Sequence, residues 1–349
     1  MEDNAVEVFI VNYNGKKTVL STIESLYKSE DVKVSISVID DHSNDKSPDL
    51  IKKHHPEIPV HILPFNNKKA NVLRNKALKL AIANYILITD NDLKYDRRCL
   101  TEMLELMERD EMIATCTPRL MHWDEPNKIY SAGTKIHFIG AAISGQRDMY
   151  YQESGKQPSV NSGSGICLLR RAVALDIGGF DENLLQGWGS DGEFYQRLLR
   201  AGYKCLYVPS AFALHENKLQ VTNRKFRAVG QTYNRWVFIL SHYSLRLIIL
   251  LFPVLIVYEF FQMGFVIMKG LFRQYIKGNI LVLKNFSAIL KKRNFVQKLR
   301  VVSDKKILFS GIIYVAPALI EKNRLIKLAV SGFSFLMNHY WLFVKKVIP

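Results

Sequence analysis

The sequence predicts an α/β fold: a mostly parallel sheet with helices on both faces, followed by a separate basic, apolar helical region. Three observations predict it. Residues 1–115 alternate short apolar runs with stretches of helical spacing. Clusters of Asn and Asp stand directly after three of those runs. The charge is divided, with 27 basic and 29 acidic side chains in residues 1–220 against 21 and 3 in residues 221–349. A chain of 349 residues suits about two domains, and the charge step sets them at 1–220 and 221–349.

The elements follow in order. Residues 6–11 read as a buried strand and 15–28 as a helix with Val19, Ile23 and Leu26 on one face. A strand at 34–39, a short helix at 46–54 and a strand at 60–63 come next. The helix at 70–83 turns Leu73, Ala77, Leu80 and Ala81 inward. A strand at 85–89, a helix at 97–109 and a strand at 112–117 complete the alternation of a parallel sheet covered on both faces. Residues 118–160 are irregular and read as a mixed β segment and a loop. A small-residue turn enters a strand over 163–169, and a helix at 170–178 ends at two glycines. A helix at 191–201 is closed by Gly202, and a strand from 203 reaches His215. Cys99, Cys116, Cys167 and Cys205 form no CxxC pair and fit no zinc spacing, so they read as buried, reduced thiols. The acidic first residues lack the basic start and apolar run of a signal peptide, which leaves this half facing the cytosol.

Open sheets of this kind bind ligands beyond the carboxyl ends of their strands. Three polar clusters fall there: Asn12-Tyr13-Asn14, Asp40-Asp41 and Asp90-Asn91-Asp92. Polar loops follow strands in any case, but three such clusters, two of them acidic, point to one shared edge. Asp90 and Asp92, two residues apart, can both address a hard divalent cation, Mg2+ or Mn2+, holding a diphosphate. Asp40 can accept from a base N–H or a ribose hydroxyl. Asp191 reads either as a helix N-cap or as a general base beside Gly187 and Trp188. His215 ends a strand and can offer an imidazole to a metal or a phosphate oxygen, although a lone His is commonly structural.

Together these residues resemble the inverting nucleotide-sugar glycosyltransferases of family 2, which have the GT-A fold. The resemblance covers about residues 6–217. It rests on V-F-I-V-N-Y-N-G, V-I-D-D-H-S-N-D, N-N-K-K-A-N-V-L-R-N-K-A-L, I-L-I-T-D-N-D, S-G-S-G-I-C-L-L-R-R, I-G-G-F-D-E-N-L, W-G-S-D-G-E-F and A-G-Y-K-C-L-Y-V-P-S-A in that order. It implies that Val11, Tyr13, Asp40, Asp41, Lys69, Arg74, Asn75 and Asp90 bind the donor nucleotide and its diphosphate. It implies that Asp90, Asp92 and His215 hold the metal, that Asp191 is the catalytic base, and that Asp181, Trp188 and Gly189 face the acceptor. Ser190 stands where many relatives carry Glu. The processive synthases of the family carry Q-x-x-R-W; residues 231–236 read Q-T-Y-N-R-W, one residue too long, which argues for single sugar addition. The C-terminal pattern resembles rhamnosyltransferase-type enzymes of surface-glycan assembly. Two other classes remain open at this point. A nucleotidyltransferase would need a Gly-rich basic loop after the first strand, where only Gly15 stands. A non-catalytic scaffold on a transferase fold would not need the acids that are present.

The basic region is no nucleic-acid module, because its charges interleave with long apolar runs. Residues 247–268 are long and apolar enough to span a bilayer. The flank at 269–306 carries 11 Lys/Arg against one acid, and 221–246 carries five Lys/Arg. Basic flanks on both sides favour a segment lying in the plane of anionic headgroups, bent at Pro253, over a single span. Closure by the short apolar run 307–320 would make a two-span hairpin, and a further apolar helix is read at 325–344. The expectation is attachment to membrane lipids at the cytoplasmic face, with spanning left open, and a lipid-linked or other glycan acceptor.

Overall fold

A computed structural model describes residues 5–144, 146–151, 159–160, 163–185, 189–216, 224–311 and 324–348. The expected Trp188, Gly187 and most of the run 307–320 lie outside these residues. The chain divides into two units. The first holds Met1–Thr134, Ser144–Gln186 and Ser190–Val221; the second holds Lys135–Ile143, Gly187–Gly189 and Thr222–Pro349.

In the first unit the strands are β1 (Ala5–Asn12), β2 (Lys33–Asp40), β3 (Val60–Ile62), β4 (Tyr85–Asp90), β5 (Leu93–Tyr95), β6 (Ile113–His122) and β7 (Ile129–Ser131). After β8 (Thr134–Ile136) and β9 (Ala142–Ser144), which form a separate two-stranded sheet, come β10 (Ser159–Val160), β11 (Cys167–Arg170) and β12 (Lys204–His215). The helices are α1 (Val19–Tyr27), α2 (Ser47–His54), α3 (Ala70–Leu80), α4 (Cys99–Arg109), α5 (Arg171–Asp176) and α6 (Gly192–Arg200). The main sheet runs β10-β12-β6-β11-β4-β1-β2-β3, with β5 added to β12 and β7 to β6.

The expected parallel order holds for β3, β2, β1 and β4. It fails at β11, which lies antiparallel between β4 and β6. Gly163–Ile166 lead into β11 at the carboxyl end of β4, so β11 runs backwards across the sheet. Its insertion leaves β6 parallel to β4 and moves the edge of the ligand side two strands outward. The short β5, β7 and β10 are also antiparallel to their partners; between β6 and β7 the connection is too short to carry a crossover helix. The strand β6 is buried at all ten positions, extending well past the expected end at 117.

One face of this sheet packs α1 and α4. Val8, Ile10, Val38, Leu87, Cys116 and Leu168 interlock there with Ile23, Leu26, Leu100, Met103 and Met107. Truncating one such Leu to Ala costs about 2–5 kcal/mol. The helix α1 starts at Val19 rather than Gly15 because a turn, closed by Thr18 and Val19 N–H bonds to the Gly15 carbonyl, comes first. All four cysteines are free and buried, as expected.

The second unit holds most of the β8–β9 pair and the helices α7 (Arg224–His242), α8 (Leu245–Met268), α9 (Phe272–Lys284), α10 (Phe286–Leu299), α11 (Asp304–Ile307) and α12 (Arg324–Val347). The single helix expected over 271–300 is two, divided at Asn285. Ser244 caps α8 by accepting from the Leu247 N–H at 3.2 Å. Phe138 stacks on Trp341 with centroids 4.9 Å apart, in a core that includes Leu247, Leu251 and Met337. A Cβ on Gly278 would stand 2.7 Å from the Thr232 Cβ, so this glycine lets α9 lie against α7. Among the described residues, α8 is the one helix long and apolar enough to cross a membrane, with a mean hydropathy of 2.1. Its acid, Glu259, is paired with Arg235 and accepts from the Tyr275 hydroxyl. Leu245, Ile249, Phe252, Phe260 and Ile267 form an exposed apolar stripe along it.

Candidate active site

The site is built on strand ends in register. Asn12 is opposite Asp40, and Val11 is opposite Asp90. Asn12, fully buried, joins all three polar clusters: it accepts from the Asn91 amide at 2.5 Å and donates to Asp40 at 2.5 Å and Ser47 at 2.9 Å. A Cβ on Gly15 would collide with both Asn12 and Asn91, so the first turn requires glycine for close approach.

Asp40 is fully buried, and its oxygens also accept from the Ser43 N–H at 2.8 Å and hydroxyl at 2.7 Å. Its visible contacts thus knit strand ends together. Asp41 accepts from the Asn67 N–H at 2.9 Å and the Lys68 N–H at 3.2 Å, which folds the 63–68 loop over the edge of the sheet. Val11 is half-buried and Tyr13 is 49% exposed at the same edge.

Asp90, Asp92 and His215 come together. One ligand atom from each lies within 4.8 Å of the others, and His215 Nε2 is 3.7 Å from Asp92 Oδ1. Antiparallel pairing of β12 with β5 sets His215 opposite Leu93 and delivers the imidazole from far along the chain. Tyr130 stacks on that imidazole with centroids 4.2 Å apart and fixes its plane. Burial and the neighbouring Asp92 push the Asp90 carboxyl above the usual carboxylate range; Arg74 and His215 pull it back, and Asp191 raises it further. These five groups therefore share one electrostatic space. Two carboxylates and one imidazole are a donor set that fits Mn2+ or Mg2+, and a cation there would relieve the repulsion between the acids.

Asp191 is the N-cap residue of α6 and accepts from the Gly192 N–H at 3.0 Å. Both expected readings, cap and cleft carboxylate, are thus compatible. A Cβ on Gly165 would collide with the Arg74 guanidinium and stand 3.2 Å from Asp191 Oδ2, so both groups converge on the gap this glycine leaves. Arg74 is held by Asn71 Oδ1 at 2.9 Å and lies over the Phe180 ring.

The α3 neighbourhood divides between two jobs. Arg74 faces the acids. Lys69 donates to the Glu182 carbonyl at 2.9 Å, Asn71 to the Asp181 and Ser190 carbonyls, and Asn75 to the Phe180 carbonyl at 2.8 Å. These three grip Phe180–Glu182 and Ser190, the last directly ahead of Asp191. Asp181 accepts from the Asn183 N–H at 2.8 Å in its own turn. Gly189 has a φ of +76°, a left-handed bend just ahead of α6.

Two features were not foreseen. Glu193 and Arg197 form a buried bidentate pair, and Arg197 also donates to the Ile177 and Gly179 carbonyls, bolting α6 to the double-glycine turn. Their i, i+4 spacing was the available signal. Arg119 lies buried in β6; a cation in a strand with no exposed position was visible as an exception to the apolar pattern.

The family "Glycosyl transferase family 2" matches residues 7–177; Asp191 and His215 lie beyond that stretch. The chain is 25% identical over 173 residues to the pre-mycofactocin glycosyltransferase of Mycobacterium tuberculosis, covering 50% of this chain and 33% of that protein. It is 30% identical over 107 residues to the UDP-Glc:alpha-D-GlcNAc-diphosphoundecaprenol beta-1,3-glucosyltransferase WfaP of Escherichia coli, covering 31% and 43%. It is 27% identical over 217 residues to the poly-beta-1,6-N-acetyl-D-glucosamine synthase of Staphylococcus aureus, covering 60% and 49%. The chain thus spans a third to a half of the length of these relatives. A crystal structure of GalNAc-T7 with UDP, GalNAc and Mn2+ superposes with a TM-score of 0.55 at 16% identity, covering 69% of this chain and 48% of that one, a likeness of fold. Family match, strand order and acid cluster agree: residues 7–177 match glycosyl transferase family 2, and the N-terminal unit has a GT-A-like α/β fold.

Proposed function

We propose that the protein is a metal-dependent inverting glycosyltransferase that moves one sugar from a nucleotide-sugar donor to a hydroxyl of a lipid-linked glycan. The observation that carries this reading is the convergence of Asp191 and Arg74 on the Gly165 gap, beside Asp90. Asp191 accepts the proton of the acceptor hydroxyl as its oxygen attacks the anomeric carbon. The bond from that carbon to the donor's diphosphate breaks on the opposite side, so the configuration inverts. Arg74 faces the oxygens on which negative charge grows. A Mn2+ or Mg2+ held by Asp90, Asp92 and His215 would neutralise the same diphosphate charge.

Val11, Tyr13 and Asp41 border the nucleotide. Asp40 acts through Asn12 and Ser43, and Lys69 and Asn75 act by holding the acceptor-side segment around Asp181, Gly189 and Trp188. Single addition rather than polymerisation is supported by Arg235 of the Q-T-Y-N-R-W segment, whose guanidinium is engaged by the Ile139 carbonyl and Glu259. The exposed apolar stripe of α8 and the basic surplus of residues 221–349 support attachment to anionic lipids at the cytoplasmic face. The same basic, apolar pattern is the ground for a rhamnosyltransferase-like subgroup.

The deciding experiment replaces Asp191 by Asn and follows transfer and metal-dependent donor binding across a panel of nucleotide sugars. Transfer disappears while binding of the preferred donor stays; transfer at the wild-type rate removes Asp191 from the role of base. Release of pyrophosphate in place of a nucleoside diphosphate would turn the assignment to nucleotidyl transfer.

A further inference from the structure

Arg119 is 7% exposed, and its Nε and Nη1 atoms are buried without a hydrogen-bond partner. Among the described residues it forms no ion pair. Its guanidinium lies 3.7 Å above the Tyr151 ring and 5.6 Å from the Phe212 ring. Tyr207 belongs to the same cluster: burial lifts its hydroxyl to about 12, and the Arg119 charge acts against that rise. An aromatic cage holds a cation in place but satisfies none of its N–H groups. A buried cation without an anion costs several kcal/mol, and such a site is completed by a ligand that brings the negative charge.

Sheet register says where that ligand would lie. Leu168 of β11 is opposite Leu87 of β4 on one side and Cys116 of β6 on the other, so these three form one row. All three belong to the core on the α1–α4 face. Three residues further along each parallel strand stand Asp90 and Arg119. An odd step reverses the face, so both project from the opposite face at the same height. Two strand spacings put them roughly 10 Å apart. The pairing of β11 stops at Cys167 opposite Ile88, and Gly165 stands in the bend ahead of it, the glycine whose missing side chain leaves room for Arg74 and Asp191. Asp40 and Asp41, at the nucleotide end, lie across β1 on β2, beyond Asp90 from Arg119. Arg119 therefore flanks the Asp90–Asp191 cleft on its acceptor side.

We propose that Arg119, framed by Tyr151 and Tyr207, is an acceptor-side subsite for a phosphate or diphosphate group. The span of roughly 10 Å from Asp90 suits an acceptor whose sugar hydroxyl reaches Asp191 while its lipid-borne phosphate rests on Arg119. This inference rests on the glycosyl-transfer reading and adds the charge of the acceptor to it.

The test is thermal unfolding of the full chain in EDTA, so that no phosphate binds through a metal. The probes are farnesyl diphosphate, inorganic pyrophosphate and farnesol. The expected result is a rise in Tm of several degrees with farnesyl diphosphate, a smaller one with pyrophosphate, and neither in Arg119→Met or Arg119→Gln. Equal shifts with the two diphosphates support the anion subsite and assign it to a free diphosphate. The unliganded Arg119→Met protein unfolds at or above the wild-type Tm, because an uncompensated charge has been removed. A variant that keeps the full shift, a wild type that shifts equally with farnesol, or variants that unfold well below wild type would overturn the proposal, the last because the charge then serves the fold. If Arg119 proves inert while Asp191→Asn still abolishes transfer, the anion subsite alone falls. If Asp191→Asn transfers normally, the glycosyl-transfer reading falls with it.

Discussion

The two units treat buried charge in opposite ways. In the second unit, Arg235 is matched by Glu259, and Arg300 pairs with Asp304 at 2.8 Å. In the first, Asp92 and Asp191 raise the cost of ionising Asp90, and Arg119 has aromatic rings in place of an anion. A paired buried charge closes a structure, because removing one partner leaves the other stranded. A cleft of like charges is held open by the fold and is stabilised by what binds there. The Glu193–Arg197 pair shows that the first unit also uses pairing where it needs rigidity, directly behind Asp191.

Four measurements break or sharpen this comparison. Chelation should have the largest effect: EDTA lowers nucleoside diphosphate release by more than about a hundredfold and Mn2+ restores it, while unfolding of the second unit is unmoved. Release that ignores EDTA would remove the metal from Asp90, Asp92 and His215. Next, Arg235→Leu strands Glu259 and lowers stability by about 3–5 kcal/mol, whereas the double change Arg235→Leu with Glu259→Leu recovers most of it. Denaturant melts of the three proteins decide this, and additive losses would deny the coupling.

A pH effect of intermediate size comes from His137. Burial depresses its pKa to about 4, so the folded protein holds it neutral. Between pH 6.5 and about 4 the unfolded chain binds the extra proton, so stability is complete above 6.5 and falls with acid through that window. The loss reaches at most about 3 kcal/mol. Comparing wild type with His137→Asn at pH 7.5 and pH 4.5 should show the acid loss shrinking in the variant; an identical loss in both would assign it elsewhere. The smallest effect is expected for Gly165→Ala, whose new methyl pushes Arg74 away from Asp191. Turnover falls about tenfold, or 1.4 kcal/mol in the barrier, with little change in Tm. Unchanged turnover would show that the gap is not used.

Much of the site could be read from the chain because strand ends carry their own punctuation. Asp90, Asp92 and His215 each follow an apolar run, and parallel topology sends such ends to one edge. Asp191 was visible by its place ahead of an amphipathic helix. Lys69, Asn71, Arg74 and Asn75 could not be told apart in this way: helical spacing puts all four near the edge, and only the packed residues Phe180–Glu182 and Ser190 decide which of them turn that way and which face the acids. Asp40 and Asp41 are neighbours of the same type, yet one is sealed under Asn12 and Ser43 while the other holds a loop.

The sequence by itself determined the charge step near residue 220 and the alternation of strands and helices ahead of it, because hydrophobic period and charge are local properties. It also determined which carboxylates stand at strand ends. Only the tertiary structure decided that β11 runs backwards between β4 and β6, because strand direction depends on where the chain re-enters the sheet. That reversal brings Gly165, just ahead of β11, to the carboxyl end of β4, and no local pattern records which residues of distant strands share a row.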